Sequence, residues 1–114
     1  MSTTVAQIPD SLNIKYYRND SFTRVFTFTD GNNDPLNLST ATVKMQIRKR
    51  PGEDALITIT EDDGLTVISN TVVFDKRIDL AKGSYKYDIQ FTYDSGVVRT
   101  YVSGQFIVID DITR

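Results

Sequence analysis

The chain has 114 residues, with 15 Asp and Glu against 13 Lys and Arg, a formal net charge of −2, and neither cysteine nor histidine. A surface built to neutralise phosphates carries a basic excess, so this balance argues against nucleic-acid binding. The missing cysteine removes disulfides and thiolate chemistry, and the missing histidine removes the most frequent general base and metal ligand.

That length fits one domain around one core. Residues 1–10, MSTTVAQIPD, show no charged segment followed by an apolar one, and no apolar run nears the roughly 20 residues of a bilayer span. A protein made in the cytosol is expected. Residues 1–11 read as a partly extended arm with Val5 and Ile8 in a polar background, able to pack on its own domain or to reach a neighbour. Residues 12–114 read as the domain itself.

In chain order, apolar spacing favours two over 3.6, and Thr, Val, Ile, Tyr and Phe are abundant. Leu12, Ile14 and Tyr16 alternate in a first strand. Residues 22–29 form a second, with Phe22, Phe26 and Phe28 on one face and Arg24 intruding on it. Asp30, Gly31, Asn32, Asn33, Asp34 and Pro35 spell a turn or loop. Alternation is cleanest over residues 42–48, where Val43, Met45 and Ile47 oppose Thr42, Lys44, Gln46 and Arg48. Pro51-Gly52 ends that run. Residues 56–60 and 65–68 are short strands around an acidic turn, and Ser69-Asn70 is a tight hairpin turn into residues 71–74. Only residues 76–82 have room for a helical turn.

Within GSYKYDIQF and its continuation, Tyr85, Tyr87, Ile89, Phe91 and Tyr93 share one face, and Lys86, Asp88, Gln90 and Thr92 share the other. Successive strand side chains point to opposite sides, so this is a half-buried strand and a main anchor of the core. Tyr85 stands where an immunoglobulin-like sandwich places a tyrosine that bonds back to the preceding corner. Asp88 is expected to pair across the outer face with Lys44 or Arg48. The fold class is therefore all-β: an antiparallel immunoglobulin-like sandwich of seven to eight strands in a single domain.

After Ser95-Gly96 a strand runs over residues 97–102, and Gly104 marks a bulge or bend. Beyond it Phe106, Ile107, Val108 and Ile109 are apolar on both faces. Such a segment is either core on both sides, covered by the N-terminal arm, or laid against another molecule. Together with Val5 and Ile8, these four residues are the candidate partner interface.

Chemical motifs are weak. Asp30, Asn32 and Asp34 have the spacing of the first calcium-loop ligands. Pro35, though, stands where that loop needs glycine, and Ala41 where it needs a bidentate glutamate. An Asx-rich turn is the better reading. Arg48-Lys49-Arg50 is followed at once by Glu53 and Asp54, which makes it a self-neutralising hairpin tip. The carboxylates lie in turns or on solvated faces, which disfavours a hydrolase. No cofactor, metal or catalytic residue is expected, and the chain is read as a non-enzyme.

The order of motifs resembles small β-sandwich structural proteins of tailed bacteriophages and prophages. It runs through Asn19-Asp20-Ser21-Phe22, the segment from Asp30-Gly31 to Pro35-Leu36-Asn37-Leu38, Met45-Gln46-Ile47-Arg48, Gly83-Ser84-Tyr85-Lys86-Tyr87-Asp88, and a closing Gly104 to Ile109 strand with Thr113-Arg114. The likeness covers residues 13–114, with the acidic Asp110-Asp111 a departure. It implies a virion protein that binds other virion proteins (major capsid, neck or tail) in multiple copies on a symmetric particle, with no nucleic acid or membrane partner. Capsid decoration, neck, tail and baseplate all remain open. The alternative is a receptor- or carbohydrate-binding module at a tail tip, using the loop over residues 30–37.

Overall fold

A computed structural model describes residues 2–5, 10–18, 20–29, 32 and 34–109. Its elements are β1 (Ser2–Val5), β2 (Asp10–Ser11), β3 (Ile14–Tyr17), β4 (Ser21–Phe28), β5 (Ala41–Arg48), β6 (Ile57–Glu61), β7 (Gly64–Ile68), β8 (Thr71–Arg77), β9 (Gly83–Tyr93) and β10 (Val98–Ile109). All are strands, as the β-branched and aromatic content requires. The expected seven or eight become ten because the first residues of the chain contribute β1 and β2.

All ten join one hydrogen-bonded sheet in the order β1-β4-β8-β7-β6-β5-β9-β10-β2, with β3 also on β10. Most pairs are antiparallel, but β1 lies parallel to β4, β6 to β7, and both β2 and β3 to β10. The sheet turns a sharp corner between β6 and β7, where Asp62 and Gly64 adopt φ of 68° and 97°. A side chain at Gly64 would also meet Lys76, whose Cβ is 2.7 Å from the position of the missing atom. Glycine is therefore required at this corner on two counts.

The sheet curls until its ends meet through side chains. Phe22 of β4 and Phe106 of β10 stand 5.5 Å apart edge to face, and Phe28 lies 6.5 Å from Tyr101. The result is a nearly closed, barrel-like shell. Its interior is the face that alternation selected: Phe22, Phe26, Phe28, Val43, Met45, Ile47, Tyr85, Tyr87, Ile89 and Phe91 are all buried. Fully burying each such side chain contributes roughly 1.5–3 kcal/mol, so β9 with four 0–6 % exposed residues at alternate positions is the main anchor.

Buried tyrosine hydroxyls need partners, and backbone carbonyls supply them. Tyr85 Oη donates to Ala81 O at 2.7 Å, the corner bond its position implied. Tyr87 Oη donates to Leu12 O at 2.7 Å, tying β9 to the segment between β2 and β3. Tyr16 reaches Ile78 O at 3.1 Å and also contacts Asp20 O.

Two expectations are corrected. Gly104 does not interrupt its strand: β10 runs unbroken from Val98 to Ile109, and the register shift falls between Thr100 and Val102, at Tyr101. That bulge turns Tyr101 toward Phe91, 4.8 Å away, beside the buried Val102. Glycine at 104 has a different cause, since an added Cβ would lie 2.1 Å from Leu12 O. The close passage of another backbone is the second reason a strand holds glycine. The helical turn is also absent among the described residues: β8 extends to Arg77, and irregular chain then buries Ile78.

Candidate interaction surface

The parallel pairing of β3 with β10 sets Phe106 opposite Ile14, Ile107 opposite Lys15, Val108 opposite Tyr16, and Ile109 opposite Tyr17. Alternation then sorts them. Ile14, Tyr16, Phe106 and Val108 face the core, with Phe106 within 5.8 Å of the Tyr16 ring and 6.5 Å of the Tyr87 ring. Lys15, Tyr17, Ile107 and Ile109 face outward. Of the four apolar residues at the end of β10, two are thus core and two are half-buried on the outer face. Both hydrogen-bonding sides of that segment are occupied, by β9 and β3.

Tyr17, 50 % exposed, stands directly beside Ile109 and extends the outer apolar patch across the edge of the sheet. The sequence signal was the Tyr16-Tyr17 doublet: with Tyr16 turned inward, period two turns Tyr17 outward. Val5 lies in β1 opposite Phe28, on the other end strand. Ile8 falls outside the described residues.

This patch adjoins the seam where the two ends of the sheet approach. A small cavity of about 130 Å³ there is lined by Lys15, Tyr16, Tyr17, Asp20, Ser21, Phe22, Thr23 and Arg24. Along β4, strand β8 covers residues 21–27 on one side, while among the described residues β1 covers residues 25–28 on the other. Arg24 sits on the inward face, its guanidinium 5.8 Å from the centre of the Phe26 ring. Its Nε is buried with no hydrogen-bond partner.

Away from the seam, three pairs of charged groups neutralise one another: Arg48 with Asp88, Arg50 with Glu53 and Lys76 with Asp63. Arg48 Nη1 bonds Asp88 Oδ2 at 2.6 Å, with the side chains 18 % and 16 % exposed, and Arg48 also donates to Gln46 Oε1 and Glu53 O. Asp88 therefore pairs with Arg48, one of its two expected partners, in a less exposed setting than a solvated sheet face implies. Its Oδ1 is buried without a partner, and Asp88 lines an open groove of about 540 Å³. Lys49 caps the Tyr85 ring at 4.8 Å, and Arg50 faces Glu53 at 3.4 Å. Each member of the basic triplet is engaged within its own neighbourhood.

A further cavity, about 630 Å³, lies between residues 35–41, Glu61, Val67 and residues 69–70. Glu61 Oε2 accepts from Val43 N at 3.0 Å there, closing the end of β5. Asn32 and Asp34 are exposed, and Asp30 lies outside the described residues. Among the described residues no group of three or more carboxylates could hold a metal ion. At the far end, Tyr93 and Tyr101 share a hydroxyl contact at 2.8 Å. Burial, and then that bond, push the Tyr93 phenol up from 10.0 to about 12. Against known proteins, the chain matches no protein-family model and no curated protein.

Proposed function

We propose that the chain is a non-enzymatic structural component of a tailed-bacteriophage or prophage virion. It binds other virion proteins in multiple copies, as capsid decoration or as part of the neck, tail or baseplate, after synthesis in the host cytoplasm. The curled sheet is read as an immunoglobulin-like sandwich, with β4, β8 and β7 facing β6, β5, β9, β10 and β3. Supporting that reading are the corner between β6 and β7 and the Tyr85–Ala81 bond, a feature of such sandwiches.

The observation that carries the functional reading is the meeting of its two most distinctive motifs. Arg48 of Met-Gln-Ile-Arg and Asp88 of Gly-Ser-Tyr-Lys-Tyr-Asp are ion-paired across neighbouring strands. The shared motifs are thus devices of the fold, and the working part is left to the surface. The Tyr17–Ile107–Ile109 patch suits that work, because many copies on a lattice gain avidity from small individual contacts.

The test uses particles lacking the protein, supplied with purified chain and sedimented. Wild type co-sediments; Ile109→Asp keeps its β circular-dichroism spectrum and stays in the supernatant. Failure of the wild-type chain to associate with any such particle would sink the proposal.

One observation favours the tail-tip binding module as a second reading: a cavity of about 630 Å³ opens beside the loop that reading invoked, along residues 35–39. A glycan array bound by wild type, and lost on Asn37→Ala, would establish it.

A further inference from the structure

We infer that the open side of β4 at residues 21–24 is a docking lane for an extended peptide segment bearing a carboxylate, which adds as a strand and is held by Arg24. This concerns what the margin binds, and it stands whether or not the chain is a virion component.

Three observations converge on the lane. First, β4 is eight residues long, yet among the described residues its β1 side is paired only over residues 25–28. Residues 21–24 present on that side a short sheet edge of the kind extended peptides join by main-chain hydrogen bonds. Second, Arg24 belongs to this stretch and brings a buried donor, Nε, that no acceptor meets. An unsatisfied buried donor is rare, and each one calls for an explanation. Guanidinium presents a planar fork of N–H groups, and the geometry that fills it is a carboxylate. Third, the adjoining cavity supplies a second cation, Lys15, against a single carboxylate, Asp20, so the local field favours an anionic group.

Other surfaces carry less. The groove over Asp88 holds an acceptor without a donor, but nothing around it selects one ligand chemistry. The cavity along residues 35–39 mixes leucines with amides, and the unpartnered Thr29 Oγ1, on the residue bridged to Pro35, is not among its lining. At the seam, main chain and charge specify the same occupant: β-prone residues around an acidic side chain.

The probe is the capped pentapeptide acetyl-Thr-Val-Glu-Val-Thr-amide, titrated into the folded chain while backbone amides are followed by NMR. Shifts confined to residues 15–24 are expected. Replacing the peptide glutamate by glutamine, which leaves the protein untouched, should weaken binding roughly ten- to a hundredfold, the worth of one hydrogen bond to a charged group. Arg24→Gln should weaken the glutamate peptide equally and leave the glutamine peptide unchanged. No shift at millimolar peptide, shifts centred elsewhere, or equal binding of the two peptides would overturn the inference. If Arg24→Gln unfolds the chain, the peptide pair alone decides it.

Discussion

Strands β9 and β4 are built from the same kind of alternating aromatic sequence, yet the sheet treats them differently. β9 has a neighbour on both sides over residues 86–92, and its alternate side chains are fully interior. Among the described residues β4 is paired over residues 21–27 on one side and over residues 25–28 on the other, and it carries an arginine among its phenylalanines. Where both lanes are filled, sequence is spent on packing. Where one is half filled, the residue that breaks the pattern is the one with a hydrogen bond to give.

Substitutions sharpen that contrast. Phe91→Ala removes a ring packed 5.0 Å from Phe28 and 4.8 Å from Tyr101. Its expected cost is about 3–5 kcal/mol, read as a shift in the urea midpoint. Asp88→Asn leaves Arg48 without its ionic partner in a mostly buried place. A loss of about 1–3 kcal/mol is expected, and a loss near zero would return the pair to the status of solvated surface charge. By contrast, Tyr17→Ser at the half-exposed margin should change stability by less than about 0.5 kcal/mol. A larger loss there would mean that the patch belongs to the fold and is not held in reserve for contact.

A further effect is confined to high pH. Tyr93 is held protonated past its ordinary value, to about 12. Its contribution to stability is thus complete below pH 10 and fades as pH rises through the folded-state value. Ultraviolet titration, taken as a difference against Tyr93→Phe, should place the midpoint near 12, and Tyr101→Phe should lower it toward 10.

Period two carried most of the fold into view. It assigned the inward faces of β5 and β9 correctly, placed Tyr85 at its corner bond, and narrowed the partner of Asp88 to Lys44 or Arg48, of which Arg48 is the one paired. It did not locate the bulge, because what glycine at 104 answers is the carbonyl of Leu12, on a segment 92 residues earlier in the chain. Strand partners were equally hidden: the apolar run at the end of β10 shows two hydrophobic faces in sequence, and only its pairing with β3 reveals that one of them is continued by Tyr17. Arg24 was visible as an exception to its strand, but a lone exception has no meaning until the uncovered lane beside it is known.

Hydrogen–deuterium exchange, read strand by strand on the free chain and on the chain assembled into particles, tests most directly whether this protein acts through its unfilled margin. Over residues 21–24, the amides that β8 leaves unpaired should exchange readily in the free chain and slow on assembly, with β9 protected in both. Unchanged exchange over residues 21–24, with new protection falling on residues 35–41 instead, would contradict the account.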